Sequence, residues 1–278
     1  LPIWFYKYKY NGKEYQDELG LNMYDYGARN YDPALGRWMN NDPLAERHPE
    51  ISPFVYCANV PTYLIDPDGK DWRIYYQDKN NERQEFIYKG GSTVLPDNQF
   101  VRDFVAAYNY NVENGGGDSM KAIAENSKIM VDVQKTSGDS NYDDSKDTKG
   151  NDVLNWNPKW GLMTDNGSML SPATILEHES AHGLGNKTGT SASDKDVRGN
   201  PYQNPEEERV ITGPEQKTAH ANGEVPYFMP TRKNHYGLPI ITNSPTSNKP
   251  NVTKTKEYHN KQQEAGNFYG IPFSAFKR

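Results

Sequence analysis

The pattern of apolar positions changes several times along the chain, and each change predicts an element. Two short runs rich in aromatic and β-branched residues, 72–76 and 84–89, flank a polar turn and predict a β-hairpin. From residue 98 to residue 109, apolar side chains recur every three or four positions, which predicts an amphipathic helix. A further apolar run at 128–133 predicts a strand. Helices and strands mixed in this way indicate an α+β fold class.

Polar stretches separate or follow these elements. Residues 136–152 are rich in Ser, Asp, Lys and Gly and are predicted to form a loop. Residues 186–204 form a long polar segment that is a candidate lid. Residues 242–278 are predicted to be a tail, part of which is loop.

A second helical pattern begins at Ser171-Pro172, which places an N-cap before a proline at the first helical position. Apolar residues then recur at the spacing of a buried helix as far as Leu184. Gly183 and Gly185 predict that this helix ends there.

The same helix carries the sequence H-E-x-x-H, formed by His178, Glu179 and His182. Side chains four residues apart share one face of a helix, so both imidazoles can bind one zinc ion. Zinc lowers the pKa of a bound water towards ~7, and a neighbouring glutamate can take the proton as the water attacks a carbonyl. The motif therefore predicts a zinc-dependent hydrolase with Glu179 as its general base.

A catalytic zinc takes a third protein ligand and keeps its fourth position for water. The acidic run Glu206-Glu207-Glu208 follows an N-cap pair, Asn204-Pro205, and so opens a second short helix. H-E-x-x-H followed about 25 residues later by glutamates on the next helix resembles the effector-type gluzincin metallopeptidases found as toxin domains. The resemblance covers residues 165–240.

This resemblance implies that His178 and His182 are zinc ligands and that Glu179 is the general base. Either Glu206 or Glu207 would be the third ligand, and the other would orient a histidine. A capping box that engages Glu207 would leave Glu206 freer to bind metal, and both alternatives stay open.

Several other residues are candidates for the same site. His220 is an alternative ligand, in a third helix that Thr212 and Glu215 are predicted to open as another capping box. Candidate groups that stabilise the transition state are Tyr227, Tyr236 and His235, and the sequence does not choose among them.

Residues 1–70 differ in composition, because tyrosines recur among Gly and Asx residues and predict short strands joined by tight turns. The run 24–38 is followed by Asp42-Pro43, by an Asn-Val-Pro at 59–61 and by the closing Asp66-Pro67-Asp68-Gly69. These motifs in this order closely resemble the RHS/YD-repeat-associated core of secreted polymorphic toxins.

The RHS resemblance implies a β-rich core remnant over 1–70 and a zincin-like α+β metallopeptidase toxin domain over 71–278. In the family, junctions of the form P-x-x-x-x-D-P-x-G are associated with self-cleavage by aspartates. Asp42 and Asp66 are the self-cleavage candidates, and the bond after Lys70 is the expected site, although the family often has leucine where this lysine stands. The abrupt start of the chain further predicts the C-terminal piece of a longer protein that contributes an RHS shell.

Composition narrows the range of partners. The net charge of −6 gives no overall basic field, so a nucleic-acid partner is not expected. No apolar run approaches the ~20 residues that cross a bilayer, so no membrane span is expected. The single cysteine, Cys57, excludes an internal disulfide framework and a cysteine-based zinc site.

The sequence therefore predicts a secreted effector, delivered into a target cell, whose C-terminal domain hydrolyses a polypeptide substrate with a zinc-activated water. The toxin resemblance implies a cognate immunity protein. Two other functions stay open: a noncatalytic structural or adhesive tip with a structural zinc, and a zinc amidase or deamidase. A closed site with four protein ligands would favour the structural or adhesive tip. The shape of the cleft would distinguish an amidase or deamidase from a peptidase, because an extended groove with an edge strand suits a polypeptide.

Overall fold

The computed structural model describes residues 8–10, 13–17, 20–26, 29–41, 52–56, 72–88, 94–124, 129–144 and 152–266. Asp42, Asp66 and Lys70 lie outside the described residues, so the predicted self-cleavage junction stays a prediction. Cys57 also lies outside them. Both helices and sheets are present, which confirms the α+β class.

The strands are β1 (Tyr8–Tyr10), β2 (Lys13–Gln16), β3 (Met23–Asp25), β4 (Asn30–Asp32), β5 (Arg37–Trp38), β6 (Trp72–Gln77), β7 (Arg83–Tyr88), β8 (Val131–Lys135), β9 (Asn141–Asp143), β10 (Asp152–Trp156), β11 (Trp160–Thr164), β12 (Met169–Leu170) and β13 (Gly237–Ile241). The α-helices are α1 (Gln99–Glu113), α2 (Asp118–Ala124), α3 (Pro172–Thr188), α4 (Pro205–Val210), α5 (Gln216–Ala221) and α6 (Val252–Glu264). A π-helical segment, Ile211–Glu215, joins α4 to α5. Among the described helices, none combines the length and apolar character that crossing a bilayer requires.

The described chain divides into two compact units, and the first is built mainly from residues 1–72. Its strands form an antiparallel sheet in the order β1-β2-β3-β4-β5. Aromatic side chains make the core of this unit, with ring centroids 4.1–6.1 Å apart. The buried members are Tyr24, Tyr26, Tyr31, Trp38 and Tyr56. Short tyrosine-rich strands, as predicted for this part of the chain, therefore pack around a small aromatic cluster.

The second unit consists mainly of residues 73–86, 96–123 and 131–278. Its larger sheet has the order β7-β6-β8-β10-β9, in which β6, β8 and β10 are parallel and β9 pairs antiparallel at the edge. The predicted hairpin is present as β6 and β7, and its turn is closed by the Asp78 amide donating to the Glu82 carbonyl at 3.0 Å. A smaller antiparallel sheet has the order β12-β11-β13.

Helix α3 is the central element of the second unit and packs against α1, β9, β10 and β11. Asn111 of α1 donates its side-chain amide to the Ala173 carbonyl at 2.7 Å, in the first turn of α3. The buried Glu177 carboxylate accepts the backbone amides of Ser119 and Met120 at 2.8 and 3.0 Å. Neighbours on several sides therefore fix the axis of α3, and most of its residues are buried.

Helix α3 does not end at Gly183 and Gly185, as predicted, but continues to a left-handed C-cap at Gly189. A Cβ at Gly183 would lie 3.2 Å from the Tyr142 ring, and one at Gly185 would lie 2.8 Å from a nitrogen of Arg209. The two internal glycines therefore permit close approach by neighbouring side chains rather than terminating the helix.

Other element boundaries also differ from those predicted. Helix α1 extends to Glu113, and strand β8 is shifted towards the C-terminus, over Val131–Lys135. The predicted loop 136–152 contains β9, which has too few residues to show an alternating pattern. Within the predicted tail, α6 forms because Thr255 and His259 are buried against β13, where His259 Nε2 lies 2.8 Å from the Pro239 carbonyl oxygen.

A buried ion pair joins the parallel strands β6 and β8. Arg73 donates from Nε and Nη2 to the two carboxylate oxygens of Asp132, both at 2.7 Å, and both side chains are almost fully buried. The two residues face each other in register, so the pair links the strands directly. Removing one partner of such a pair leaves the other charge buried.

We therefore expect Asp132→Ala to lower the free energy of unfolding by about 3–5 kcal/mol. Urea unfolding followed by circular dichroism measures this change. The control is Asp97→Ala, which removes the exposed partner of Lys79 and should leave the unfolding midpoint nearly unchanged. Equal effects of the two substitutions would contradict the stabilising role of the buried pair.

Candidate metal centre

His178, Glu179 and His182 lie on one face of α3, turned into the protein. His178 is 5 % exposed and Glu179 8 % exposed. The Nε2 atoms of the two histidines are 3.2 Å apart. One ligand atom from each of the three residues lies within 4.8 Å of the others, so together they could hold a metal ion. The helical spacing thus brings the side chains together as expected for i and i+4 positions.

Glu207 faces both histidines from α4. Its Oε1 lies 3.3 Å from His182 Nε2, and its Oε2 lies 3.4 Å from His178 Nε2. Its backbone amide donates to the Asn204 side chain at 2.8 Å, which confirms the predicted N-cap. The Glu207 side chain turns towards the histidines, so the capping box that would have left Glu206 as the freer carboxylate is not the arrangement observed.

Glu206 contacts only the outer nitrogen of one histidine. Its Oε1 lies 3.1 Å from His182 Nδ1. Arg209 donates to both of its oxygens, at 2.8 and 2.6 Å, and the Ala192 amide donates to Oε2 at 2.7 Å. The same arginine donates to the Ala181 carbonyl on α3 at 3.0 Å. Glu206 therefore connects His182 to the segment that the sequence identified as a candidate lid.

Glu215 occupies the equivalent position beside the other histidine, a role that the local sequence does not predict. Its Oε2 lies 2.8 Å from His178 Nδ1. Arg232 donates to both Glu215 oxygens, at 3.0 and 2.5 Å, and both residues are buried. The predicted capping box with Thr212 is wrong, because the Thr212 hydroxyl donates to the Glu208 carbonyl at 2.6 Å inside a continuous helix.

The π-helical segment explains how Glu207 and Glu215 both reach His178. An α-helix turns by about 100° per residue, so eight residues would leave the two glutamates about 80° apart around the axis. The wider turn of the segment Ile211–Glu215, which contains Pro214, reduces this offset. Nothing in the local sequence except the internal proline signals this change of pitch.

Glu179 is held from the opposite side by the edge strand β9. The Tyr142 backbone amide donates to Glu179 Oε2 at 2.8 Å. The Tyr142 ring lies against Gly183, and its hydroxyl donates to Asp152, which also accepts from Lys187 at 3.1 Å. The strand that positions Glu179 is therefore anchored to α3 at Gly183 and Lys187, one and two turns beyond Glu179.

Burial and hydrogen bonding set the charges at this centre. Burial opposes a charge on His178, but the carboxylates of Glu207 and Glu215 beside its two ring nitrogens outweigh burial and raise its pKa to about 10. Although burial disfavours ionisation, Arg232 and His178 lower the pKa of Glu215 to about 2. Arg209 and His182 do the same for Glu206, whose pKa falls to about 2. Burial raises the pKa of Glu179, which makes it a stronger base than an exposed carboxylate.

A cleft of about 290 Å³ opens directly onto His178 and Glu179. Arg232 and His235 line it, and His235 Nε2 lies 3.5 Å from Glu207 Oε2. The other proposed helpers lie elsewhere: Tyr227 and Tyr236 are 88 % and 77 % exposed and do not line this cleft. His220 Nε2 lies 2.7 Å from the Met229 carbonyl oxygen and is not part of the His178 cluster.

A family model matches the part of the chain that carries this site. Residues 102–235 match the model of the Peptidase_M91 family, described as an effector protein. The matched range contains the H-E-x-x-H motif, the acidic residues around it, Arg232 and His235.

Curated relatives match over shorter stretches. The chain is 43 % identical over 63 residues to Salivary gland surface protein 1 of Aedes aegypti, which covers 23 % of this chain and 2 % of that protein. It is 45 % identical over 62 residues to Toxin subunit YenC1 of Yersinia entomophaga, and 42 % identical over 67 residues to Toxin subunit YenC2. Each of these two matches covers 6 % of the toxin subunit and 22 % or 23 % of this chain.

The chain therefore spans only a small part of the curated relatives it matches. No solved structure matches it significantly. The family match and the similarity to two toxin subunits support a toxin effector domain, and the name of the family suggests a peptidase.

A further buried carboxylate, that of Glu224, fixes the start of α3 and provides a pH-dependent test. Its Oε2 accepts the Ser171 amide at 3.1 Å and the Thr174 hydroxyl at 2.8 Å. Burial raises the pKa of Glu224 to about 7, against the lowering effect of these hydrogen bonds. The pKa of Glu224 is higher in the folded protein than its unfolded value of about 4.3. Its contribution to the stability of the folded protein is therefore complete below about pH 4 and is lost as the pH rises through 7.

We expect Glu224→Gln to reduce the difference in unfolding free energy between pH 5 and pH 8 by about 2 kcal/mol. The amide oxygen can still accept from Ser171 and Thr174, so the packing of α3 is kept. Urea unfolding of parent and variant at both pH values measures the difference. An unchanged pH dependence in the variant would contradict the role assigned to Glu224.

Proposed function

We propose that the second unit is a zinc metallopeptidase in which His178, His182 and Glu207 hold the metal. The observation that carries the proposal is the spacing of the facing donor atoms. The two histidine Nε2 atoms are 3.2 Å apart, and each faces one oxygen of Glu207, Oε1 at 3.3 Å for His182 and Oε2 at 3.4 Å for His178. Donors around a tetrahedral zinc with metal–ligand distances of 2.0–2.2 Å lie about 3.3–3.6 Å apart. Each of the three residues therefore presents a nitrogen or oxygen at a separation that suits zinc.

The hydrogen bonding of the donors also fits a divalent cation. Glu207 Oε2 is buried, and the imidazole nitrogens nearest to it, His178 Nε2 at 3.4 Å and His235 Nε2 at 3.5 Å, are not in hydrogen-bond geometry. A nearby cation would compensate this oxygen. Each histidine has its Nδ1 beside a second carboxylate, Glu215 for His178 and Glu206 for His182. When Nδ1–H donates to a carboxylate, Nε2 keeps the lone pair that binds a metal. This argues for Glu207 as the ligand and for Glu206 as an orienting group.

When bound at this position, zinc would supply Lewis-acid activation of a water and of a substrate carbonyl. Glu179 would accept the proton released during hydrolysis and pass it to the leaving amine. The Tyr142 amide holds one oxygen of Glu179, which leaves the other to receive the proton. His235 lines the cleft beside these groups, so it is the better placed of the three candidate transition-state helpers.

Two features favour a catalytic site over a structural zinc. The cleft reaches His178 and Glu179 from outside, whereas a structural site is closed by four protein ligands. The Glu179 carboxylate is fixed beside the three proposed zinc ligands and is not needed as a ligand itself. This position also suits a general base. An amidase or deamidase would use the same chemistry on a smaller substrate, and the peptidase family match favours polypeptides.

For the whole protein we propose a zincin-like toxin domain that follows an RHS-core remnant. The similarity to toxin subunits supports delivery from a larger RHS-shelled chain into a target cell, with a polypeptide as substrate and a cognate immunity protein as partner. Cleavage between residues 70 and 71 would release residues 71–278 as the effector.

Glu179→Gln should keep zinc and reduce peptide hydrolysis by about 10²–10⁴-fold, the usual contribution of a general base. Zinc content is measured by elemental analysis, and hydrolysis by mass spectrometry of a mixed peptide library. Glu113→Gln, at the exposed end of α1, is the matched control and should behave as the parent. Full hydrolysis by Glu179→Gln would exclude the proposed base, and hydrolysis by zinc-free protein would exclude the proposed metal.

Glu207→Gln and Glu206→Gln should separate the ligand from the orienting group. We expect Glu207→Gln to lose stoichiometric zinc, because an amide is a much weaker zinc ligand than a carboxylate. Glu206→Gln should retain zinc with affinity reduced by about 10–100-fold, as for groups that orient a ligand. Competition with a fluorescent chelator measures both affinities, with the neighbouring Glu208→Gln as control. The reverse order of the two effects would assign Glu206 as the ligand.

A further inference from the structure

The cleft beside the histidines has an apolar wall contributed by two elements. Trp160 and Leu162 both line the cleft and are two residues apart on β11, so their side chains emerge on the same face of the sheet. Ile175 lines the same cleft from α3, one turn before His178. An apolar surface therefore borders the place where the scissile bond would lie.

The wall is held in place by contacts behind it. The Trp160 ring packs on the Tyr258 ring of α6, with centroids 4.8 Å apart. Leu162 lies over Gly237 of β13 so closely that a Cβ there would be 2.6 Å from the leucine Cδ1. Side chains fixed in this way form a pocket before a ligand arrives, so binding costs little side-chain entropy.

Asp139 lies at the rim of the cleft, and the described residues include no hydrogen-bond or ion-pair partner for its carboxylate. The loop that carries it is tied down on both sides by Asn157. The Asn157 amide donates to the Ser140 hydroxyl at 3.1 Å, and its side chain donates to the Gly138 carbonyl at 3.2 Å. Partial burial raises the pKa of Asp139, because its charged form is disfavoured there. A bound cation would remove this penalty on the charged carboxylate.

The cationic side chains that line the cleft already face carboxylates of the centre itself. Arg232 is paired with Glu215, His178 lies beside Glu207 and Glu215, and His235 Nε2 lies 3.5 Å from Glu207 Oε2. Glu179 and Asp139 both face the cleft. A substrate segment that brings a positive charge is therefore favoured over one that brings a negative charge.

We propose that this cleft binds a polypeptide segment with an apolar side chain next to the scissile bond and a lysine or arginine close by. The apolar side chain would lie against Trp160, Leu162 and Ile175, and the basic side chain would pair with Asp139. This inference rests on the proposed peptidase function and assigns its substrate class.

The test is a cleavage profile of the full, zinc-loaded chain on a mixed peptide library, read by mass spectrometry. We expect an aromatic or branched aliphatic residue at one position flanking the cleaved bond, enriched about 10-fold over polar residues. A basic residue at a second fixed position should be enriched up to about 5-fold, the range of an accessible ion pair. The profile also shows on which side of the bond each residue lies.

Three variants assign these preferences to residues. Asp139→Asn should lose the basic enrichment, and Asp139→Lys should replace it with an acidic one. Ile175→Phe, which narrows the cleft, should shift the apolar preference to smaller side chains. Asp103→Asn on α1 is the matched control and should keep the parental profile. Zinc content and circular dichroism show that each variant is folded.

The outcomes separate this inference from the function on which it rests. Zinc-dependent cleavage with no apolar preference, or with a basic preference that survives in Asp139→Lys, would overturn the inference and leave the peptidase function standing. Failure of the zinc-loaded parent to cleave any peptide would overturn both. Loss of the basic preference in Asp139→Asn but not in Asp103→Asn would support the assignment of Asp139.

Discussion

The burial of ionisable side chains on α3 is the constraint on which the rest of the second unit depends. His178, Glu179 and His182 are turned into the protein, where an uncompensated charge or unpaired polar group is costly. Compensation comes from glutamates on the following helical segments, and these are in turn neutralised by two arginines. Helix α3 therefore cannot take this position unless the later part of the chain folds onto it.

The chain meets this requirement with one irregular helix rather than with several separate elements. Residues 205–221 run as α-helix, π-helix and α-helix, and the change of pitch brings both Glu207 and Glu215 to His178. π-Helical turns inside α-helices often occur at functional sites. Here the physical reason is direct, because a regular helix would turn one of the two carboxylates away from α3.

Sequence reasoning succeeded where a local rule decides the structure. The i, i+4 spacing of His178 and His182 and the N-caps at Ser171 and Asn204 depend on neighbours within one helical turn, and the structure contains all of them. The hairpin of β6 and β7 and the helix α1 follow from equally local periodicity.

Sequence reasoning failed where contacts with residues distant in the sequence decide the structure. The orientation of Glu207 depends on α3, the use of Glu215 depends on helix pitch, and Gly183 is explained only by the Tyr142 ring. Helix α6 has few apolar residues, so its pattern did not reveal that Thr255 and His259 would be buried. In each case the deciding contact comes from a residue at least 14 positions away or from a departure from regular helix geometry.

The proposed metal ligands and the proposed base are positioned by different parts of the fold. The far nitrogens of the histidines are fixed by Glu206 and Glu215, which belong to the helical segment after the candidate lid. Glu179 is fixed by an edge-strand amide, and that strand is anchored to α3 through Gly183 and Asp152. Because the Ala192 amide also donates to Glu206, movement of the segment 189–204 would act first on the group that orients His182 and would leave the contact between Tyr142 and Glu179 in place. The two halves of the centre therefore depend on different segments of the chain.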